Sequence, residues 1–93
     1  MIKSFASGET EQLFERERPR KIPYLIHKVS LRKLLMIHAV VEVSDLRIPP
    51  GNHLESLKGD KKGLYSIRIN NQWRICFRWH EGNAYDVEII DYH

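Results

Sequence analysis

A chain of 93 residues is long enough for one domain with a single small core. Its 42% hydrophobic and 29% charged residues exclude an intrinsically disordered chain. The formal net charge is only +3, but residues 16–33 hold seven basic residues against one acidic residue, Glu17, so the positive charge is local.

Three further features bear on cellular location. The single cysteine, Cys76, excludes an internal disulfide and suits a reducing compartment. No apolar stretch approaches the about 20 residues that a membrane span needs, and residues 1–10 lack the apolar core of a signal peptide. We therefore expect a cytoplasmic protein without a membrane partner.

The N-terminal part predicts a short strand followed by a short helix. Residues 1–6 alternate weakly, with Ile2 and Phe5 as the apolar positions, and they need a sheet to join. Ser7 is a helix-starting residue because its hydroxyl can accept from free first-turn amides. Leu13 would anchor the helix to the core.

Residues 15–23 predict a mobile loop, because they contain two prolines, alternating charges and little to bury. Two interpretations of the arginines in this loop stay open. They form either an arm that contacts nucleic acid or a solvated linker.

Residues 24–43 predict the one long helix. Six apolar residues recur at spacings that share a helix face, namely Leu25, Ile26, Val29, Met36, Ile37 and Val40. Lys33 interrupts this face, and we expect its stem to lie along the apolar surface with its amine in water. His27 and His38 are predicted to face solvent, about three turns apart and too distant to share a metal.

Turn residues dominate the connection that follows. Residues 48–52 predict a rigid turn, and residues 53–57 predict an irregular strand with Leu54 and Leu57 facing inward. Residues 58–63 predict a tight connection to the next strand.

Three strands are predicted after this connection, because apolar and polar residues alternate between turn signals. The apolar face would carry Tyr65, Ile67, Ile69, Trp73, Ile75, Phe77, Trp79, Tyr85, Val87 and Ile89. The opposite face would carry Arg68, Arg74 and Arg78. The prediction is an α+β fold, with an N-terminal strand and helices packed on an antiparallel sheet.

The polar residues of this sheet suit chemistry on a phosphodiester. RNA supplies its own nucleophile, the 2′-hydroxyl, so cleavage needs a base, an acid and cations that stabilise the phosphorane. An arginine fork binds two phosphate oxygens, a histidine transfers protons near neutral pH, and a tyrosine stacks on a base. The candidates are Lys58, Arg68, Arg74, Arg78, Asp91, Tyr92 and His93, with His53 and Glu55 in reserve.

Each candidate also has a purely structural interpretation. Exposed arginines commonly pair with acids, here Asp86 or Glu88. Cys76 lies between two arginines but lacks the partners of a catalytic triad, so we predict a small buried side chain. The histidines lack metal-ligand spacing and no glycine-rich phosphate loop is present, so we expect no metal and no cofactor.

The same residues carry a family resemblance. The run LESLKGDKKGLYSIRINNQWRICFRW at residues 54–79, followed by VEIIDYH at residues 87–93, resembles HigB-type toxins of the RelE/ParE superfamily. The resemblance extends to the opening MIKSF and to the chain length. It therefore covers nearly all of residues 1–93, as a single toxin domain.

This resemblance implies a compact RelE-like microbial-RNase fold and a metal-independent endoribonuclease that cuts messenger RNA at the decoding site of the ribosome. It also implies the partners: a helix-turn-helix antitoxin, the ribosome with its messenger RNA, and operator DNA bound only through the antitoxin complex. Carried over position by position, the catalytic residues of the family fall on Lys58, Arg74, Asp91, Tyr92 and His93. The predicted RNA contacts are Arg68, Arg78, His53, Lys61 and Lys62.

One departure from the family pattern concerns Glu55. Some relatives have a histidine at this position, two residues before the leucine of L-K-G. The change would either weaken catalysis or alter which group accepts the proton. Two other functions stay open, and Glu55 supports the second of them. One is a superfamily toxin that inhibits gyrase by protein binding, whose relatives generally lack the D-Y-H run. The other is a catalytically weak module that binds the antitoxin.

Overall fold

The structure, a computed structural model, describes residues 1–57 and 63–92. Within these ranges, two α-helices precede four strands. They are α1 (Gly8–Phe14), α2 (His27–Ala39), β1 (Glu55–Ser56), β2 (Leu64–Arg68), β3 (Trp73–His80) and β4 (Asn83–Asp91). Short 3-10 turns lie at Tyr24–Ile26, Val43–Arg47 and Pro50–Asn52. The strands form one antiparallel sheet in the order β1-β2-β3-β4, which confirms the predicted α+β fold.

The N-terminal segment lies along the outer edge of β4. Ile2 and Phe5 make isolated parallel bridges to Ala84 and Val87, and the amide of Lys3 donates to the carbonyl oxygen of Ala84 at 2.8 Å. The predicted first strand thus joins the sheet, but as separate parallel bridges.

Helix α1 begins at the predicted residue. Ser7 Oγ accepts from the amide of Thr10 at 3.2 Å, and Leu13 is buried in the core. Thr10 is also buried, and its Oγ1 accepts from the amide of Ile89 at 3.0 Å. That bond joins α1 directly to β4.

Helix α2 is shorter than the predicted helix. Tyr24–Ile26 forms a 3-10 turn, and the α-helix ends at Ala39 because Val40 is extended, with φ −71° and ψ 147°. Val40 and the valine after it are β-branched, which disfavours further helix. The following turn also competes, since the amide of Glu42 donates to Asp45 Oδ2 at 3.3 Å.

The apolar face of α2 is covered as predicted except at its beginning. Ile26 and Ile37 are buried, and Val29, Met36 and Val40 pack against the core. Leu25 is 92% exposed, so its predicted place on this face is wrong. The reason is the 3-10 turn, whose roughly 3.0 residues per turn shift Leu25 off the stripe.

Lys33 is more deeply placed than predicted. It is 6% exposed, and its Nζ donates to the carbonyl oxygen of Arg68 at 2.5 Å. The prediction that its amine reaches water is therefore wrong. The bond ties α2 to the end of β2.

The two histidines of α2 are half-buried, so the prediction that they face solvent is wrong. His27 Nε2 lies 2.7 Å from the carbonyl oxygen of Ile22. His38 Nδ1 accepts from the amide of Ile2 at 3.2 Å. The two rings therefore bind the segments at Ile22 and Ile2 to the helix.

Residues 15–23 include two buried side chains, those of Pro19 and Ile22. The expectation that this segment has little to bury is therefore wrong at these positions. Its mobility stays a prediction.

The turn before β1 is held by a buried amide. Asn52 ends the 3-10 turn Pro50–Asn52, and its Nδ2 donates to the carbonyl oxygen of Leu46 at 3.1 Å. Leu54 then packs against the core as predicted. This arrangement fixes where Glu55 enters the sheet.

The sheet buries the predicted apolar face against the helices. Its most enclosed residues are Ile67, Ile75, Phe77 and Val87. Strand β4 interrupts the alternation, because Asp86 has φ +53° and the register with β3 shifts at Phe77. Such a β-bulge turns the following side chains to the other face.

The bulge corrects one predicted position. Ala84 is fully buried, whereas Tyr85 lies on the opposite face, with its ring centroid 4.8 Å from Arg78 Cζ. The prediction that Tyr85 shares the apolar face is therefore wrong.

Candidate active site

A buried arginine on β3 is the centre of the candidate site. Arg74 is 7% exposed. Its Nε donates to Ser66 Oγ at 2.9 Å, and its Nη2 donates to the carbonyl oxygens of Ser66 at 3.2 Å and His53 at 2.6 Å. A buried charge is costly unless it is hydrogen-bonded, so these acceptors both stabilise the guanidinium and fix its plane.

Glu55 and Tyr92 flank the Arg74 guanidinium at the surface. Glu55 Oε1 lies 3.8 Å from Arg74 Nη1, and half of the Glu55 side chain is exposed. The centroid of the exposed Tyr92 ring lies 5.5 Å from Arg74 Cζ, within cation–π range. We name Glu55, Ser66, Arg74 and Tyr92 the Arg74 cluster. It presents a carboxylate and an aromatic ring beside a fixed cation.

Arg68 lies next to this cluster. It is directly opposite Arg74 in the β2–β3 register, so both side chains leave the sheet on the same face. Its Nη2 donates to Asn71 Oδ1. Like charges directly opposite destabilise a sheet, and the pair concentrates positive potential at this end of the strands.

Lys33 adds a third cation near the two arginines. Its burial lowers the pKa of Lys33 below the ordinary value, and the charges of Arg32, Arg68 and Arg74 lower that pKa further. The contributions of the three arginines, which come after that of burial, place positive charge around Lys33. An anionic ligand would relieve that repulsion.

Asp91 leaves β4 on the opposite face from the Arg74 cluster. The register pairs Asp91 with Trp73 and Ile90 with Arg74. Alternation along the chain therefore places Asp91 on the Trp73 face and Tyr92 on the Arg74 face. Of these two predicted catalytic residues, the structure brings Tyr92 to Arg74 and directs Asp91 elsewhere.

Gln72 holds the end of β4. Its Nε2 donates to Asp91 Oδ2 at 3.1 Å, and its carbonyl oxygen accepts from the amide of Tyr92 at 2.6 Å. These two bonds position Tyr92, whose ring lies over Arg74. The carboxylate within the cluster itself belongs to Glu55.

Arg78 is separate from the cluster. It is four residues beyond Arg74 on β3, which is about 13 Å along a strand. Its Nε lies 3.5 Å from Asp86 Oδ2, an acid that the structural interpretation named for it. Cys76, between the two arginines, is half-buried rather than buried as predicted, because its face of the sheet is only partly covered.

His53 joins the site through its main chain, since its carbonyl oxygen accepts from Arg74. Its φ of +44° is left-handed, and the residue lies between the 3-10 turn Pro50–Asn52 and β1. Four other predicted residues, Lys58, Lys61, Lys62 and His93, lie outside the described residues. Their roles stay predictions.

Ser66 belongs to the Arg74 cluster but was not among the site residues predicted from the sequence. It supplies two of the acceptors that hold Arg74. The available signal was alternation, which places Ser66 and Arg74 on one polar face. Their contact also depends on the strand register, which alternation alone does not give.

Among residues 1–57 and 63–92, no group of three or more histidine, cysteine, aspartate or glutamate residues could hold a metal ion. No helix in the same ranges has the length and apolarity to cross a membrane.

Comparison with known proteins decides the family. A family model described as "RelE-like toxin of type II toxin-antitoxin system HigB" matches residues 3–93. The chain belongs to the HigB-like toxin family. Toxin HigB-1 of Vibrio cholerae serotype O1 is 45% identical over 85 residues, which is 90% of each chain. Endoribonuclease HigB of Proteus vulgaris is 34% identical over 94 residues, covering both chains fully.

Solved structures agree with the HigB-like fold. The YoeB dimer structure from Staphylococcus aureus matches with a TM-score of 0.60 at 18% identity, over 99% of this chain and 97% of that one. YafQ from Escherichia coli BL21(DE3) matches with a TM-score of 0.56 at 13% identity, over 98% and 93%. The predicted RelE-like fold is confirmed. As a HigB-like toxin of a type II system, this protein has an antitoxin as its partner.

Proposed function

We propose that this HigB-like toxin is an endoribonuclease that cleaves messenger RNA on the ribosome. The observation that carries the proposal is the Arg74 cluster, where a fixed guanidinium lies beside an exposed ring and an exposed carboxylate. The Proteus vulgaris relative, which is named an endoribonuclease, supports the same reaction class.

The proposed reaction is attack of the 2′-hydroxyl on the adjacent phosphorus. The O2′–P bond forms and the P–O5′ bond breaks, which gives a 2′,3′-cyclic phosphate and a 5′-hydroxyl. A base takes the 2′ proton, an acid returns a proton to O5′, and cations stabilise the phosphorane. None of these steps needs a metal ion.

Three roles follow from the chemistry of the side chains. Arg74, together with Lys58, stabilises the charge on the phosphorane oxygens. Tyr92 orients the base or its sugar by stacking. Arg68 contacts a neighbouring phosphate from the same face of the sheet.

Proton transfer is assigned first to His93, because a histidine both donates and accepts near neutral pH. Glu55 is the second candidate for the base, since its carboxylate lies in the Arg74 cluster. Asp91 shares the Trp73 face, so we assign it a positioning role through Gln72.

Control of the toxin is proposed to follow the pattern of its family. A helix-turn-helix antitoxin would neutralise it, and the complex would bind operator DNA. Purification of the toxin with its antitoxin tests the first partner. Operator binding by the antitoxin with and without the toxin tests the second.

The direct test compares Arg74→Lys with Arg78→Lys. Lysine keeps the charge but lacks the fork and the stacking plane, so Arg74→Lys should slow message cleavage by about 10²-fold or more. Arg78 is half exposed and paired with an acid, so Arg78→Lys should keep most of the activity. The readout is the rate at which new 5′ ends appear within codons of a message translated by purified ribosomes.

Three outcomes would overturn the proposal. Equal cleavage by the two variants, with unchanged thermal unfolding, would remove Arg74 from the reaction. Intact messages combined with DNA damage after induction would indicate a gyrase inhibitor. Intact messages without DNA damage would indicate a module that only binds its antitoxin.

A further inference from the structure

A cleft of about 420 Å³ lies in the helix layer, away from the Arg74 cluster. It opens between the end of α1 and the beginning of α2, and the segment after α1 closes one side. Its apolar part is formed by Leu13, Leu25 and Leu31, and its basic part by Arg16, Arg18 and Lys28. The volume falls within the range of about 300–1,000 Å³ typical of binding pockets.

The apolar side of the cleft continues onto unusually exposed residues. Leu25 is 92% exposed and Tyr24 is 70% exposed, although the next residue, Ile26, is buried. Single exposed apolar residues are ordinary. Here two adjacent ones border an apolar cleft, which is the pattern of a surface that a partner covers.

The basic residues of the cleft outnumber Glu17, the acidic residue that lines it. Within residues 1–57 and 63–92, the ion pairs include none of Arg16, Arg18 and Lys28. Arg18 instead stacks over Tyr24, with its Cζ 6.0 Å from the ring centroid. A negatively charged ligand would therefore find uncommitted positive charge.

We infer that this cleft binds an acidic, amphipathic segment of the antitoxin. Large apolar side chains of that segment would pack on Leu13, Leu25 and Leu31, and its carboxylates would face Arg16, Arg18 and Lys28. The identity of the occupant rests on the toxin–antitoxin function, because that function supplies the partner. The chemistry of the occupant rests on the cleft itself.

A protein segment fits this cleft better than RNA does. Three leucines line it, and leucines offer neither a stacking plane nor hydrogen bonds to bases. The ring of Tyr24, which also lines the cleft, already has Arg18 over it. Apolar anchors with a charged rim are typical of helix-in-groove recognition.

The test uses the full toxin and the antitoxin encoded beside it. Leu25→Glu and Lys28→Glu should each weaken antitoxin binding by about tenfold or more, measured by calorimetry. The matched controls are Val41→Glu, at an exposed valine outside the cleft, and Arg47→Glu, at an exposed arginine of the later 3-10 turn. Their affinities should stay close to that of the unchanged toxin.

Ribosome-dependent cleavage by the free variants is the second measurement. It should be unchanged in Leu25→Glu and Lys28→Glu, because neither residue belongs to the Arg74 cluster. Unchanged antitoxin affinity in both cleft variants would overturn the inference, and so would weaker binding of single-stranded RNA instead of antitoxin. Absence of cleavage even by the unchanged toxin would contradict the proposed function but would leave the affinity comparison valid.

Discussion

Arg74 and Arg78 have the same side chain on the same strand, but their surroundings give them different properties. Oxygens from Ser66 and His53 hold Arg74 in a buried position and fix its plane, and the Glu55 carboxylate lies 3.8 Å from its Nη1. Arg78 is half exposed and paired with Asp86. A buried guanidinium with a fixed orientation suits a phosphorane better than an exposed one, so we assign the proposed phosphate role to Arg74.

Tyr92 allows the contribution of a ring to be separated from that of a hydroxyl. Tyr92→Phe keeps the face that lies over Arg74, and we expect nearly full cleavage. Tyr92→Ala removes the stacking surface, which is worth about 1–3 kcal/mol per base and predicts a rate loss of about 5- to 150-fold. Single-turnover cleavage of a programmed ribosome measures both. An equal loss in the two variants would show that the hydroxyl acts in proton transfer.

Lys33 predicts a pH dependence of stability. Because burial lowers its pKa in the folded state, the unfolded chain binds more protons than the folded chain as pH rises toward the ordinary value of 10.5. The free energy of unfolding should therefore increase over that interval. Lys33→Met should abolish the increase, and Lys28→Met, at an exposed lysine on α2, should preserve it. Urea unfolding at a series of alkaline pH values tests this, and a parallel trend in the Lys33→Met variant would contradict it.

At the scale of elements, the bulge in β4 determines which residues face the core. It turns Ala84 inward and Tyr85 toward Arg78. The residue that allows this is Asp86, whose φ of +53° is one that side chains with a Cβ rarely adopt.

Asp86 can be used to measure the cost of that bulge. Asp86→Val should destabilise the protein by about 1–2 kcal/mol, because a β-branched residue is strained at positive φ. Asp86→Gly should be tolerated, since glycine adopts this conformation freely and the exposed ion pair with Arg78 contributes little. Glu88→Val, two residues along the strand, is the control and should be nearly neutral. The measurement is the free energy of unfolding of the three variants in urea. Equal values for Asp86→Val and Asp86→Gly would contradict backbone strain at position 86.

The elements could be predicted from sequence where local rules decide them. Ser7 at the start of α1 and the alternation in β2 and β3 were predicted and observed. The bulge could not be predicted, because Asp86 is not a glycine and nothing local marks a left-handed position. The burial of Lys33 could not be predicted either, because its amine donates to the carbonyl oxygen of Arg68, a residue distant in sequence.

In the candidate site too, some residues could be predicted from the sequence and others could not. Arg74 and Tyr92 were predicted catalytic residues, and the structure brings them together. Ser66, which accepts from Arg74, was missed, and Asp91 was expected beside Arg74 and Tyr92. Both differences arise from the register of three strands, which a one-residue shift would reverse.

At the scale of the whole molecule, the two layers of the fold separate two surfaces. The Arg74 cluster lies on the face of the sheet opposite the core, whereas the cleft lies in the helix layer. Antitoxin binding in the cleft would therefore leave the Arg74 cluster uncovered by that segment. Inhibition would then come from the bulk of the antitoxin on the ribosome or from its other parts.

Hydrogen exchange of residues 15–23 tests how this surface behaves before and after binding. Pro19 and Ile22 are the buried residues of this segment, and segments with few buried contacts open at low free energy. We therefore expect fast amide exchange at residues 18–21 in the free toxin. Antitoxin in the cleft should slow exchange at Arg16, Glu17 and Arg18, which line it.

The control segment is residues 48–52, which border the other end of α2 and should exchange equally in both states. Slow exchange of residues 18–21 in the free toxin would contradict the predicted mobility. Slowing of residues 48–52 without any effect on residues 16–18 would place the antitoxin at the other end of α2, because protection follows the surface that binding covers.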